Sequence, residues 1–206
     1  MIICSLPKKA HNVIIHLDFL KGKYTMNWEL SVLHWFESIH NPVLNPVMKV
    51  ITMLGDAGIF WIALSVIFLF FNKTRKAGIA MAISLVLSVI FTNLIIKNIA
   101  DRIRPFVIDP TLLKDMLVKL PKDSSFPSGH TSASFAAATA FFVTNKKWGI
   151  PCLVLASLIA ISRLYLTVHF PTDVIAGVIF GVIYGIAAYF IMSRLIFKKE
   201  KSHSEN

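Results

Sequence analysis

Ser162-Arg163-Leu164-Tyr165-Leu166-Thr167-Val168-His169-Phe170-Pro171-Thr172-Asp173 separates an apolar run that starts at Trp148 from another that extends from Val174 to Ser193. The second run has 20 residues without a charge. A polar break between two such runs reads as the connection of a hairpin of membrane helices, because a lipid-exposed backbone must satisfy its own hydrogen bonds. The break also concentrates chemistry. Arg163 carries a fork of donors suited to phosphate oxygens, His169 is a candidate nucleophile or base, and Asp173 lies four residues on, where it can hold the imidazole. The bland alternative is a pair of helix caps beside an incidental His, and the rest of the chain must decide.

The composition agrees with a membrane bundle. The chain has 206 residues, 55% of them hydrophobic, and a mean hydropathy of +0.67, too apolar for a soluble domain of this size. The net charge of +10 gathers at the ends of apolar runs. That placement points to anionic lipid or a phosphorylated substrate rather than nucleic acid. Cys4 and Cys152 imply neither a disulfide framework nor a thiolate metal site. No cleavable signal peptide is read at the N-terminus.

Working outward, five spans are expected, giving an all-α integral membrane helical bundle. They run from Ala57 to Asn72, Ala77 to Ile96, Phe126 to Asn145, Trp148 to Ser162 and Val174 to Ser193. Ala80, Ser84, Ser88 and Thr92 place small side chains at every fourth position of the second span, and Gly177, Gly181 and Gly185 do so on the fifth. Both stripes predict close helix approach. The domain reading is an amphipathic or interfacial segment over residues 1–56, a transmembrane domain over 57–197 and a polar basic tail over 198–206. Within the first, residues 1–26 read as a surface segment and Asn27 to Asn41 as an amphipathic helix. Trp28, Val32, Trp35, Phe36 and Ile39 form its apolar side, with Glu29 elsewhere on the wheel. In the loop at 106–126, Asp109-Pro110 and Pro121 bracket a short amphipathic helix carrying Leu112, Leu113, Met116, Leu117 and Leu120, expected on the membrane surface.

Two further cations and a second His join the break. Lys97 and Arg104 are seven residues apart, almost two helical turns, so a continuous helix would project both from one face roughly 10 Å apart, with Pro105 ending it. Pro127-Ser128-Gly129-His130 opens the third span. With Pro127 in its first turn, the amides of Ser128, Gly129 and His130 would be free to meet an anion. Counting crossings puts Lys97, His130, Arg163 and His169 on the same side of the membrane. The basic turns at Lys73 to Lys76 and Lys146 to Lys147 lie on the other, so the positive-inside rule places the site extracytoplasmically. A cationic cluster with no excess carboxylates describes a receptor for a phosphorylated headgroup, and Lys97, Arg104 and Arg163 would repel a metal ion.

Lys97-x6-Arg104-Pro105, Pro127-Ser128-Gly129-His130 and Ser162-Arg163-x5-His169-x3-Asp173 together resemble the three-part signature of the type-2 phosphatidic acid phosphatase superfamily. The resemblance covers about Ala57 to the end of the fifth span. It implies a hydrolase that needs no cofactor and no metal. His169 would attack phosphorus to give a phosphohistidine, with Asp173 fixing its tautomer. His130 would protonate the leaving oxygen and then activate water. Lys97, Arg104, Arg163, Ser128 and Gly129 would bind the phosphate. The implied substrate is a lipid phosphate in the bacterial cytoplasmic membrane, undecaprenyl pyrophosphate first. Phosphatidylglycerophosphate, phosphatidic acid or a lipid A phosphate are alternatives, since the signature reads the phosphate and not the tail. From other classes, a lipid or anion transporter would need no nucleophile, and a haloperoxidase would need no membrane spans.

Overall fold

The computed structural model describes residues 27–113 and 117–204, and within these it is helical without strands. The expectation for residues 1–26 falls outside them. Helix α1 is Asn27–Ser38 and α2 is Leu44–Met53, followed by a 3-10 turn at Asp56–Gly58 and α3 at Ile59–Leu69. Helix α4 comprises Arg75–Leu87, a π-helical stretch Ser88–Ile96 and Lys97–Ala100. A short α5 at Pro105–Ile108 and a 3-10 turn at Pro110–Leu113 lead into the irregular segment before α6, Gly129–Thr144; α7 is Lys146–Tyr165 and α8 is Pro171–Ser204.

Apolar length sets which helices cross the bilayer. Among the described residues three are long and apolar enough, and α2 with the turn and α3, bent by 43° at the break, makes a fourth when the pair is taken as one broken span. The fifth expected span is α6, whose 16 residues rise about 24 Å. It is the central helix. Ala136, Ala137, Ala138 and Ala140 are wholly buried, and α4, α7 and α8 pack around it.

Small side chains allow that packing. The α4 stripe of Ala80, Ser84, Ser88 and Thr92 is fully buried, and Ser88 and Thr92 both reach Ser132 of α6, at 3.1 and 2.9 Å. On α8, a Cβ at Gly181 would lie 2.7 Å from both Phe135 Cβ and the Ser132 carbonyl. The glycine stripe is therefore used within the bundle. Large apolar residues such as Ile59, Phe70, Ile99 and Phe190 cover the outside, as a lipid-facing surface requires.

Three expectations change. Glu29 is 1% exposed while Trp28 and Trp35 face outward, so α1 turns its carboxylate into the bundle, where a cation meets it. The 106–126 loop is helical only at its start, with 114–116, including Met116, outside the described residues. Leu112 is buried and Leu117 and Leu120 pack against buried side chains, so these leucines cover the bundle rather than the membrane surface. Finally, no continuous helix joins Lys97 to Arg104. Asp101 has φ of +39° and ends α4, and Arg104 is the extended N-cap of α5.

Candidate active site

Lys97, Arg104, Gly129, His130, Arg163 and His169 line one cavity of about 240 Å³. Lys97 comes from the last turn of α4, Arg104 from the start of α5, Gly129 and His130 from the start of α6, and Arg163 from the end of α7. His169 stands in the connection to α8. Four helix ends and the connection before α8 thus meet on one side of the bundle, as the crossing count requires.

His169 is 2% exposed, and its two nitrogens face different surroundings. Nδ1 points at Asp173 Oδ2, 3.6 Å away, too long for a hydrogen bond and within reach of a small closure. Nε2 lies 3.5 Å from Arg104 Nη1. Burial pushes the His169 pKa down to about 3, with Arg104 and Arg163 adding to the fall and Asp173 opposing it. The imidazole is therefore neutral at physiological pH, and the network assigns its N–H to Nδ1, leaving a lone pair on Nε2.

Asp173 is held from behind. Its Oδ2 accepts from the Phe170 amide at 2.9 Å and the Ser125 hydroxyl at 2.5 Å, and Oδ1 accepts from Arg102 Nη1 at 2.5 Å. Arg102 also donates through Nη2 to Glu29 Oε2 at 2.7 Å and stacks 4.2 Å from the Phe170 ring centroid. Buried charges stay ionised only when paired in this way. Glu29, Arg102, Asp173 and His169 form one chain from α1 to the cavity.

The cations have distinct partners. Arg104 Nε and Nη2 donate to the Asp123 carbonyl and carboxylate at 2.9 and 2.7 Å, and Nη1 donates to the Val168 carbonyl at 2.7 Å. Lys97 Nζ donates to the other oxygen of the same Asp123. Burial alone would raise the Asp123 pKa, but the Lys97 bond and the Lys97 and Arg104 charges outweigh it and bring it to about 2. Its carboxylate takes the donors that a phosphate would use. Arg163 donates to Thr52 Oγ1 of α2, while its buried Nε has no acceptor among the described residues.

Ser128 departs from expectation. It caps α6 rather than following Pro127 inside it, its amide donates to the Asp173 carbonyl at 3.0 Å, and its Oγ accepts from Thr131 Oγ1 at 2.9 Å. It is wholly buried and is not part of the cavity lining. The part of α6 that lines the cavity thus begins at Gly129, where Asn93 Oδ1 stands 2.9 Å from the position of a would-be Cβ.

Four charged residues escaped the sequence reading: Glu29, Asp56, Arg102 and Asp123. Asp56 Oδ1 lies 2.7 Å from His130 Nε2. One signal was present, since an acid flanked by glycines at the break of an apolar span is a functional candidate by default.

Comparison with known proteins agrees with this geometry. The profile of the PAP2 superfamily matches residues 76–197. An undecaprenyl-diphosphatase of Sulfolobus acidocaldarius is 31% identical over 81% of this chain and 80% of its own, and the undecaprenyl-diphosphatase BcrC of Bacillus subtilis is 30% identical over 78% and 81%. A crystal structure of a transmembrane PAP2-type phosphatidylglycerolphosphate phosphatase from Bacillus subtilis superposes with a TM-score of 0.65 at 26% identity, covering 91% of this chain and 95% of that one. With Lys97, Arg104, Gly129, His130, Arg163 and His169 gathered at one cavity of a membrane bundle, the chain belongs to the PAP2 superfamily and is an integral membrane phosphatase.

Proposed function

We propose that the protein hydrolyses a phosphomonoester or pyrophosphate of a membrane lipid through a phosphohistidine on His169, with undecaprenyl pyrophosphate as the first substrate. The observation that carries this reading is that His169 lines a cavity with Lys97, Arg104 and Arg163, with Nε2 beside Arg104 Nη1 and Nδ1 turned to Asp173. The Nε2 lone pair forms the bond to phosphorus as the bond to the leaving oxygen breaks and its electron pair stays on that oxygen. His130 supplies the proton to it. Asp173 stabilises the positive ring of the intermediate, and the three cations neutralise charge on the equatorial oxygens. In the second step His130 takes a proton from water, which attacks phosphorus and returns His169 to its neutral form. Ser128 acts from behind, by joining the start of α6 to Asp173. The two undecaprenyl-diphosphatase relatives support the substrate, and the positive-inside distribution supports an extracytoplasmic site.

The test is phosphate release from undecaprenyl pyrophosphate, phosphatidylglycerophosphate and phosphatidic acid in detergent with EDTA, for wild type and His169→Ala. Release by wild type alone, greatest from undecaprenyl pyrophosphate, is expected. No release from any of the three by folded protein, or retained activity in His169→Ala, would sink the reading. The structural likeness to a phosphatidylglycerolphosphate phosphatase makes that lipid the second candidate.

A further inference from the structure

The turn Gly55-Asp56-Ala57-Gly58 interrupts a span, and its backbone is costly. Ala57 has φ of +49° and Gly58 +67°, a left-handed pair in which the alanine costs about 1 kcal/mol or more. Irregular backbone at membrane depth persists where it lines a cavity, and Gly55, Ala57 and Gly58 all line the one that holds His130. The turn is pressed against that ring. A Cβ on Gly55 would lie 2.7 Å from His130 Cδ2 and 3.3 Å from Cγ, so only glycine lets the backbone cover this edge. Beyond it Asp56 Oδ1 meets Nε2 at 2.7 Å. One edge of the imidazole is covered and Nε2 is taken, which leaves Nδ1 for the reacting oxygen.

Resting on the phosphatase reading above, we propose that Asp56 is the positioning residue of His130, making a second His–Asp pair in which Nδ1 is the atom that transfers the proton. In the first step His130 is an imidazolium, its Nε2–H bonded to Asp56 and its Nδ1–H given to the leaving oxygen as the bond to phosphorus breaks. The neutral ring keeps its Nε2–H on Asp56, and the Nδ1 lone pair takes the proton of the attacking water. The pairs are mirror images: Asp173 serves Nδ1 of the nucleophile, Asp56 serves Nε2 of the acid.

Leaving-group dependence separates this role from a structural one, because p-nitrophenolate departs without a proton and an alkoxide does not. The quantity to measure is kcat/KM, which reports formation of the phosphoenzyme, for phosphatidic acid and p-nitrophenyl phosphate in one detergent. Asp56→Asn should lower it by about 10- to 100-fold for phosphatidic acid, the scale of a weakened general acid, and by less than about threefold for p-nitrophenyl phosphate. Asp56 is 58% exposed, so the isosteric amide leaves the packing intact. In His130→Ala, adding Asp56→Asn should cause no further loss. An equal loss on both substrates, an additive loss in the double variant, or no loss at all overturns the proposal while leaving the phosphatase reading standing. Wild type inactive on both substrates, or active His169→Ala, sinks that reading and this inference with it.

Discussion

Asp123→Asn should make the enzyme bind phosphate more tightly. The Asp123 carboxylate spans Lys97 and Arg104, so a phosphate that takes those donors must displace it. Its side chain is 55% exposed, while the two cations are 10% and 4% exposed. Discounted for solvent, the displaced interaction amounts to about 1 kcal/mol, close to a factor of five. The inhibition constant of orthophosphate should therefore fall about fivefold in the variant, and KM with it. Since the effect is one of uniform binding, kcat should hardly move. With a pKa of about 2 the carboxylate is charged throughout pH 5 to 9, so the factor should not vary there. It should shrink in high salt, because the carboxylate is exposed. Competitive inhibition by orthophosphate, read at two ionic strengths, is the assay. A rise in the inhibition constant, or a collapse of kcat, would refute the reasoning by showing that Asp123 aims the cations instead of competing for them.

Arg102→Met removes the cation between Glu29 and Asp173 and should cost about 3 kcal/mol together with most of kcat, read as Tm in detergent and turnover; an unchanged Tm would mean that the two acids find other partners. Gly181→Val drives a side chain into Phe135 and the Ser132 carbonyl and should cost about 1–3 kcal/mol through the α6–α8 contact, seen in denaturant unfolding. His169 has a folded pKa of about 3 against about 6.5 unfolded, so between these values only the unfolded chain takes up the proton. Its contribution to stability is full above pH 6.5 and is lost as pH falls toward 3; His169→Gln should flatten that decline, and a slope identical to wild type would argue against the burial.

The helices and the convergence of Lys97, His130, Arg163 and His169 were legible because apolar length and crossing parity are properties of sequence alone. The small-residue stripes on α4 and α8 were legible for a similar reason, since spacing fixes the face and a close neighbour is the only use for it. Asp56 and Asp123 were not. Each pairs across 74 or 26 residues of chain, and an isolated acid in a turn carries no periodicity. Glu29 was placed on the polar side of an interfacial helix, as a residue facing away from the membrane. In a bilayer the outside is apolar too, and the carboxylate turns inward to find Arg102. The Lys97–Arg104 spacing suggested the right meeting for the wrong reason: a left-handed Asp101 and a restart at Pro105 bring the two together, not two turns of helix.

The π-helical stretch of α4 has a rotational consequence. At about 100° per residue an α-helix would set Lys97 some 140° around the axis from Thr92, turned well away from the buried stripe. The i→i+5 bond from the Lys97 amide to the Thr92 carbonyl winds at roughly 80° per residue and narrows that angle to about 40°. The ammonium is thereby steered toward the azimuth of Ser84, Ser88 and Thr92, and Lys97 is 8% exposed. Restoring α winding over 88–96 with every residue kept would rotate Lys97 out of the cavity, whereas deleting one residue between Thr92 and Lys97 would leave it about 40° from Thr92, near its present azimuth. One surplus residue in a turn thus acts as a phase shift, and the lining of the cavity is written into the pitch of the helix as much as into its side chains.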